Sequence, residues 1–196
     1  MILKMKNAVI LHGLPDKEEY YNSNFPAQSN AHWIGWLHKQ LQLNDIFTQA
    51  PEMPLSFKPE YKIWKKEFER YDIGPSTLLV GHSCGGGFLI RWLSENKEAK
   101  VGKVILVVPW LNPDDNPKYD TGDFFEFDID PDLVGRTTGT VIFRSSNDFS
   151  DVLKSIDILK NNLKNIKIRN FQNYGHFCER DFKTDKFSEL LEECLK

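Results

Sequence analysis

Apolar positions along the 196-residue chain fall into two kinds of run. Short Val/Ile/Leu-rich runs of strand length alternate with longer segments in which apolar residues recur at helical spacing. Strands are predicted at 7–11, 46–50, 77–80, 103–108, 139–144 and 166–171, and helices at 31–43, 59–71, 86–96, 151–162 and 183–195. Runs such as Val104-Ile105-Leu106-Val107-Val108 are apolar at every position rather than every second one. Such strands are covered on both faces, which predicts a mostly parallel sheet between two helical layers. The expected fold is a single α/β domain over residues 1–196, a three-layer α/β/α sandwich of about six strands in the order 2-1-3-4-5-6. Within 31–43, Trp33, Trp36, Leu37, Leu41 and Leu43 form a stripe at helical spacing that reads as a core face rather than a ligand platform.

One stretch breaks the alternation. Residues 110–132 read WLNPDDNPKYDTGDFFEFDIDPD, rich in proline and acid with aromatics in the middle. A connection of this length usually has a job, and it leaves the sheet at the carboxyl edge where α/β proteins bind ligands. Two readings are open: a small cap over a site with Phe124, Phe125 and Phe127 as its apolar lining, or a solvated acidic loop around one short packed helix. Its carboxylates lack the D-x-[DN]-x-[DN]-G register of a calcium loop.

Composition narrows the function classes. A net charge of −3 and a pI near 6.0 leave no electrostatic footprint for nucleic acid. No apolar run approaches the ~20 residues of a membrane span, and residues 1–6 are too short and too charged for a signal peptide. Cys84, Cys178 and Cys194 are an odd number with no CxxC pair, which fits reduced thiols in the cytoplasm. No HExxH motif or Cys/His cluster points to a metal, and the first strand is not followed by a dinucleotide-binding G-x-G-x-x-G.

The chemistry centres on Gly81-His82-Ser83-Cys84-Gly85, which follows the apolar run at 77–80 and precedes the helical run from Gly86. Strand, G-x-S-x-G, helix is the context of a nucleophile elbow, a sharp turn that lifts a serine hydroxyl off the sheet edge. A serine hydroxyl needs a base, and the base needs an orienting acid. Asp148 lies directly after the strand at 139–144 and His176 directly after that at 166–171, the order Ser, Asp, His along the chain. Asp151 is the competing acid, but it and Ser150 also suit the N-cap of the next helix, and Asp148 lies closer to the strand end. His176 is the only histidine after Ser83. Oxyanion donors are expected at the backbone N–H of Cys84 and, from the His12-Gly13-Leu14 loop after the first strand, at that of Leu14. Cys84 and Cys178 read as small apolar fillers, with Cys84 as an alternative nucleophile that would leave Ser83 unexplained.

These residues carry a resemblance. The His12-Gly13 start, His32-Trp33, Trp36-Leu37, Met53-Pro54, Trp64, His82-Ser83, Ser146-Asn147-Asp148 and Gly175-His176-Phe177 resemble, nearly end to end, the small serine hydrolases of the retinoblastoma-binding protein nine and YdeN type. The resemblance implies a trimmed α/β-hydrolase fold lacking the first two antiparallel strands, a Ser83–His176–Asp148 triad, no cofactor, and esterase-type action on small acyl substrates. The chain departs from some members at the His12-Gly13-Leu14 loop, and residues 114–132 have no match in them. A peptidase or thioesterase shares every motif. A non-catalytic protein-interaction module on the same fold is the alternative of another class, with a partner docking on the acidic 114–132 stretch.

Overall fold

The computed structural model describes residues 6–196, the side chain of Phe182 excepted; residues 1–5, which begin the stretch read above as no signal peptide, lie outside the described residues. Six strands, β1 (Asn7–Leu11), β2 (Phe47–Gln49), β3 (Thr77–His82), β4 (Val101–Val107), β5 (Thr137–Ser145) and β6 (Lys167–Phe171), form one sheet in the order β2-β1-β3-β4-β5-β6. Every pairing is parallel. This is the predicted order, and strand limits move by a few residues. The inner strands are sealed: Ala8 to Leu11 and Leu78 to Val80 are at most 1% exposed. At the edge, β6 carries Lys167 and Arg169 and is only half-buried, as suits a strand with an unpaired side.

The described residues form seven helices: α1 (Lys17–Tyr21), α2 (Ile34–Leu43), α3 (Tyr61–Phe68), α4 (Cys84–Glu95), α5 (Ser150–Asn162), α6 (Glu179–Phe182) and α7 (Ser188–Leu195). The chain moves leftward from β1 to β2 through α2 and rightward at each later crossover. Right-handed crossovers therefore put α2 on one face and α3, α4 and α5 on the other. Trp33, just before α2, meets Phe187, just before α7, at 6.0 Å, and Phe68 of α3 meets Phe88 of α4 at 5.4 Å on the opposite face. The result is the three-layer α/β/α sandwich.

Three expectations change. The predicted helix at 183–195 starts late: a short α6 ends at Phe182, its C-cap Lys183 adopts a left-handed φ of 60°, and α7 begins only at Ser188. In the 31–43 stripe, Trp33, Leu37 and Leu41 are fully buried and Trp36 packs against the core, but Leu43, at the helix end, is 64% exposed. The phenylalanines of 110–132 do not line a site. Phe124 is wholly buried against Trp64 and Phe125, and Phe125 packs on Trp110. Arg91 of α4 secures this stretch by donating to the Asp123 carbonyl. Burying these rings is worth more to the fold than exposing them to a cleft, at roughly 25 cal/mol per Å² of apolar surface.

Candidate active site

The carboxyl ends of β1, β3, β4, β5 and β6 converge on a cleft of about 990 Å³ lined by Leu14, Phe25, Ser83, Trp110, Phe149 and His176 among others. The 110–132 segment gives it Trp110, Asp114, Asn116, Lys118 and Tyr119, so its polar first half faces the cleft and its aromatic second half anchors it in the core.

Ser83 is the hinge between β3 and α4, with φ 51° and ψ −117°. A non-glycine residue held there costs about 1–3 kcal/mol, which the surroundings must impose. They do so through the backbone. The Ser83 N–H donates to the Val107 carbonyl at 2.9 Å, and the Ser83 carbonyl accepts from Gly86, Gly87 and Trp110 N–H groups at 2.9, 3.1 and 3.1 Å. Glycine is obligatory on both sides. A Cβ on Gly81 would sit 2.7 Å from the Gly86 main chain, and one on Gly85 would sit 2.5 Å from the His12 carbonyl oxygen. The turn is thus wedged between β1 and its own helix.

His176 and Asp148 meet directly: His176 Nδ1 lies 2.8 Å from Asp148 Oδ1. The Asp148 side chain is fully buried and that of His176 is 14% exposed. Asp148 Oδ1 also accepts the Phe149 N–H at 2.7 Å, while Oδ2 is buried with no hydrogen-bond partner among the described residues. Asp151 does something else: its Oδ2 accepts the Trp110 indole N–H at 3.0 Å and its Oδ1 the Val152 N–H at 2.9 Å. Neither Ser150 nor Asp151 caps α5 by its side chain; the N-cap residue is Phe149.

Residues that sequence reasoning gave no role hold the His176 loop. The Asn147 amide oxygen accepts the Ser145 hydroxyl at 2.8 Å and the Gly175 N–H at 2.9 Å, and Ser145 Oγ accepts the Tyr174 N–H at 3.0 Å. The loops after β5 and β6 are therefore zipped together. The signal was present in Ser145-Ser146-Asn147, short polar side chains that serve backbone groups in turns. Asp181 Oδ2 accepts the N–H groups of His176 and Cys178, and the Trp33 indole donates to the Phe177 carbonyl at 3.0 Å.

Near Ser83, the Leu14 and Cys84 N–H groups have no hydrogen-bond partner among the described residues. The loop before Leu14 is held by His12. Its Nε2 accepts the Met53 N–H at 2.8 Å, so the ring proton is on Nδ1, which donates to the Gly13 carbonyl at 2.7 Å. Burial pushes the His12 pKa down, in keeping with a neutral ring. Cys84 is enclosed in the core, and burial drives its thiol pKa well up, which keeps sulfur protonated and unreactive. The Cys178 thiol is pushed up to about 12 by burial. Among the described residues, no three His, Cys, Asp or Glu side chains converge to hold a metal ion, and no helix is long and apolar enough to cross a membrane.

Comparison with known proteins agrees with this fold. The ydeN gene product from B. subtilis is similar over 96% of each chain, with a TM-score of 0.76 at 21% identity. Est1E from Butyrivibrio proteoclasticus is similar over 98% of this chain and 86% of its own, with a TM-score of 0.63 at 13% identity. A monoacylglycerol lipase from Paleococcus ferrophilus is similar over 98% and 95%, with a TM-score of 0.63 at 15% identity. No functionally curated protein matches the chain in sequence. The serine hydrolase family does, over residues 22–180, most of the described chain and all three candidate catalytic positions. The chain belongs to the serine hydrolase family.

Proposed function

We propose that the protein hydrolyses a small ester or similar acyl bond through a Ser83–His176–Asp148 triad and an acyl-enzyme. The observation that carries this reading is the 2.8 Å contact between Asp148 Oδ1 and His176 Nδ1 beside a serine held at φ 51°. A carboxylate accepting from Nδ1–H leaves Nε2 bare, the tautomer a general base needs.

In this reading Ser83 Oγ attacks the acyl carbonyl while His176 Nε2 takes its proton. The tetrahedral oxyanion is met by the N–H groups of Leu14 and Cys84, the latter at the start of the twelve-residue helix α4. His176 then protonates the leaving alcohol, and water, deprotonated by the same nitrogen, resolves the acyl-enzyme and returns the proton to Ser83. Asp148 stabilises the imidazolium formed in each half-reaction. The reaction needs no cofactor. The polar half of 110–132 acts as a cap at the mouth, and three free, buried thiols suit a reducing cytoplasm.

The test is labelling of the purified protein with a fluorophosphonate probe beside Ser83→Ala and His176→Ala. Labelling of the parent and its loss in both variants is expected. A folded parent that does not label, or a Ser83→Ala protein that turns over esters at the parent rate, overturns the reading.

A further inference from the structure

We propose that His82 is a positioning residue whose imidazole sets the separation between the turn carrying Ser83 and the loop carrying His176. The inference rests on the triad reading above.

His82 is the last residue of β3 and directly precedes Ser83. Its ring is buried, and Nε2 lies 2.9 Å from the main-chain carbonyl of His176, 94 residues away in sequence. A carbonyl only accepts, so Nε2 carries the proton and donates it. Other hydrogen bonds on the His176 loop run elsewhere. Ser145 and Asn147 join it to the loop of Asp148, Asp181 joins it to α6, and Trp33 joins it to the approach to α2. Those contacts fix the base relative to the acid and to the flank of the sheet. The hydrogen bond from His82 joins this loop to the residue adjoining the nucleophile. The strand below is rigid: His82 pairs with Val107 in the sheet and Ser83 N–H is bonded to Val107, so a length set at His82 is transmitted to Ser83.

The ring is itself held in place. Trp33 meets it edge-on at 5.6 Å and His32 at 5.8 Å, which leaves it little freedom to swing away. It also lies 5.1 Å from the His176 ring. Burial first, then the neighbouring His176, His32 and His12, keep it neutral, with the backbone bond to His176 opposing them. A neutral donor suits this position, because a second cation would oppose the imidazolium that forms on His176 during turnover.

The test compares the parent with His82→Leu and His82→Gln on p-nitrophenyl butyrate, with folding checked by circular dichroism. Leucine fills much of the volume without a donor, whereas the glutamine amide nitrogen falls near the place of Nε2. Misplacing reacting groups by about 1 Å costs up to roughly 100-fold. His82→Leu is expected to lower kcat about 10- to 100-fold with KM within about twofold, and His82→Gln to recover most of that loss. Should His82→Leu fail to fold, His82→Phe, which keeps a ring between Trp33 and His32 without a donor, takes its place. A donor-less variant with parent kcat, one that changes KM alone, or a glutamine variant no better than leucine overturns the inference. Ser83→Ala and His176→Ala run alongside separate the two failures. If both lose turnover while His82→Leu keeps it, only the role of His82 falls; if Ser83→Ala keeps turnover, the triad reading falls with it.

Discussion

Asp181 Oδ2 holds His176 from behind: it accepts the main-chain N–H of His176 at 2.9 Å and, with the same oxygen, that of Cys178 at 3.1 Å. Both donors flank Phe177, whose φ is 55°, so the carboxylate stabilises a kink that the backbone would not adopt unaided. Replacing Asp181 with alanine strands two N–H groups in a half-buried loop. The variant is expected to lose about 2 kcal/mol of stability in urea titration and about tenfold in kcat, with Asp181→Asn, which keeps an acceptor, in between.

Asp148 and Asp151 lie three residues apart, but only Asp148 meets His176. Asp148→Asn is expected to lower kcat on the order of 10³-fold or more with KM little changed, because the amide neither selects the tautomer nor balances the imidazolium. Asp151→Asn, which loosens the Trp110 indole, is expected to lose less than about tenfold. Steady-state kinetics on a p-nitrophenyl ester separates the two; equal losses would contradict the assignment.

The cleft mouth is bridged by Lys118 and Asp16, 3.0 Å apart with side chains 58% and 53% exposed. An exposed pair is worth about 1 kcal/mol at most and is screened by salt. Lys118→Ala is expected to leave thermal stability nearly unchanged while raising kcat/KM for bulky esters about threefold, with acetate unaffected. In the parent, added salt should reproduce the effect. Identical selectivity in both proteins at all salt concentrations would remove the cap reading.

Gly85 meets the His12 and Leu11 carbonyls where a Cβ would stand 2.5 and 2.7 Å from them. The obstruction is backbone on both sides, so relief requires moving β1 or α4. Gly85→Ala is expected to cost about 3 kcal/mol and to lower kcat, since the turn carrying Ser83 must shift. Urea midpoints at constant m-value measure it.

His82 and His12 each have a pKa held below the ordinary value of 6.5, by burial above all. The unfolded chain takes protons near pH 6.5 that the folded protein refuses. The unfolded state thus binds more protons between that pH and the folded values, and stability falls as pH drops through this window. The slope reaches about 1.4 kcal/mol per pH unit for each group. Protonating His12 Nε2 would also break its bond from Met53 N–H. Urea midpoints at pH 7.5 and 5.5 should show the loss, and the slope should be shallower in His82→Gln. A flat profile would contradict the buried neutral histidines.

Signals carried by neighbouring residues were legible in the chain itself. The parallel three-layer fold follows from uninterrupted apolar runs alternating with helical ones, and the elbow from Gly81, Ser83 and Gly85 between a strand and a helix. The positions of Asp148 and His176 were readable because each directly follows a strand, and parallel strands deliver such residues to one edge. Tertiary structure decided what depends on distance between remote segments. It turned Phe124 and Phe125 inward, because burial against Trp64 and Trp110 removes more apolar surface from water than a wet cleft does. It delayed the start of the helix predicted at 183–195 to Ser188, because Asp181 of the short α6 reaches back to His176 and Cys178 and the chain then turns at Lys183. It also joined His82 to His176 across 94 residues, a pairing that no local pattern encodes because it exists only once two separate strands lie in one sheet.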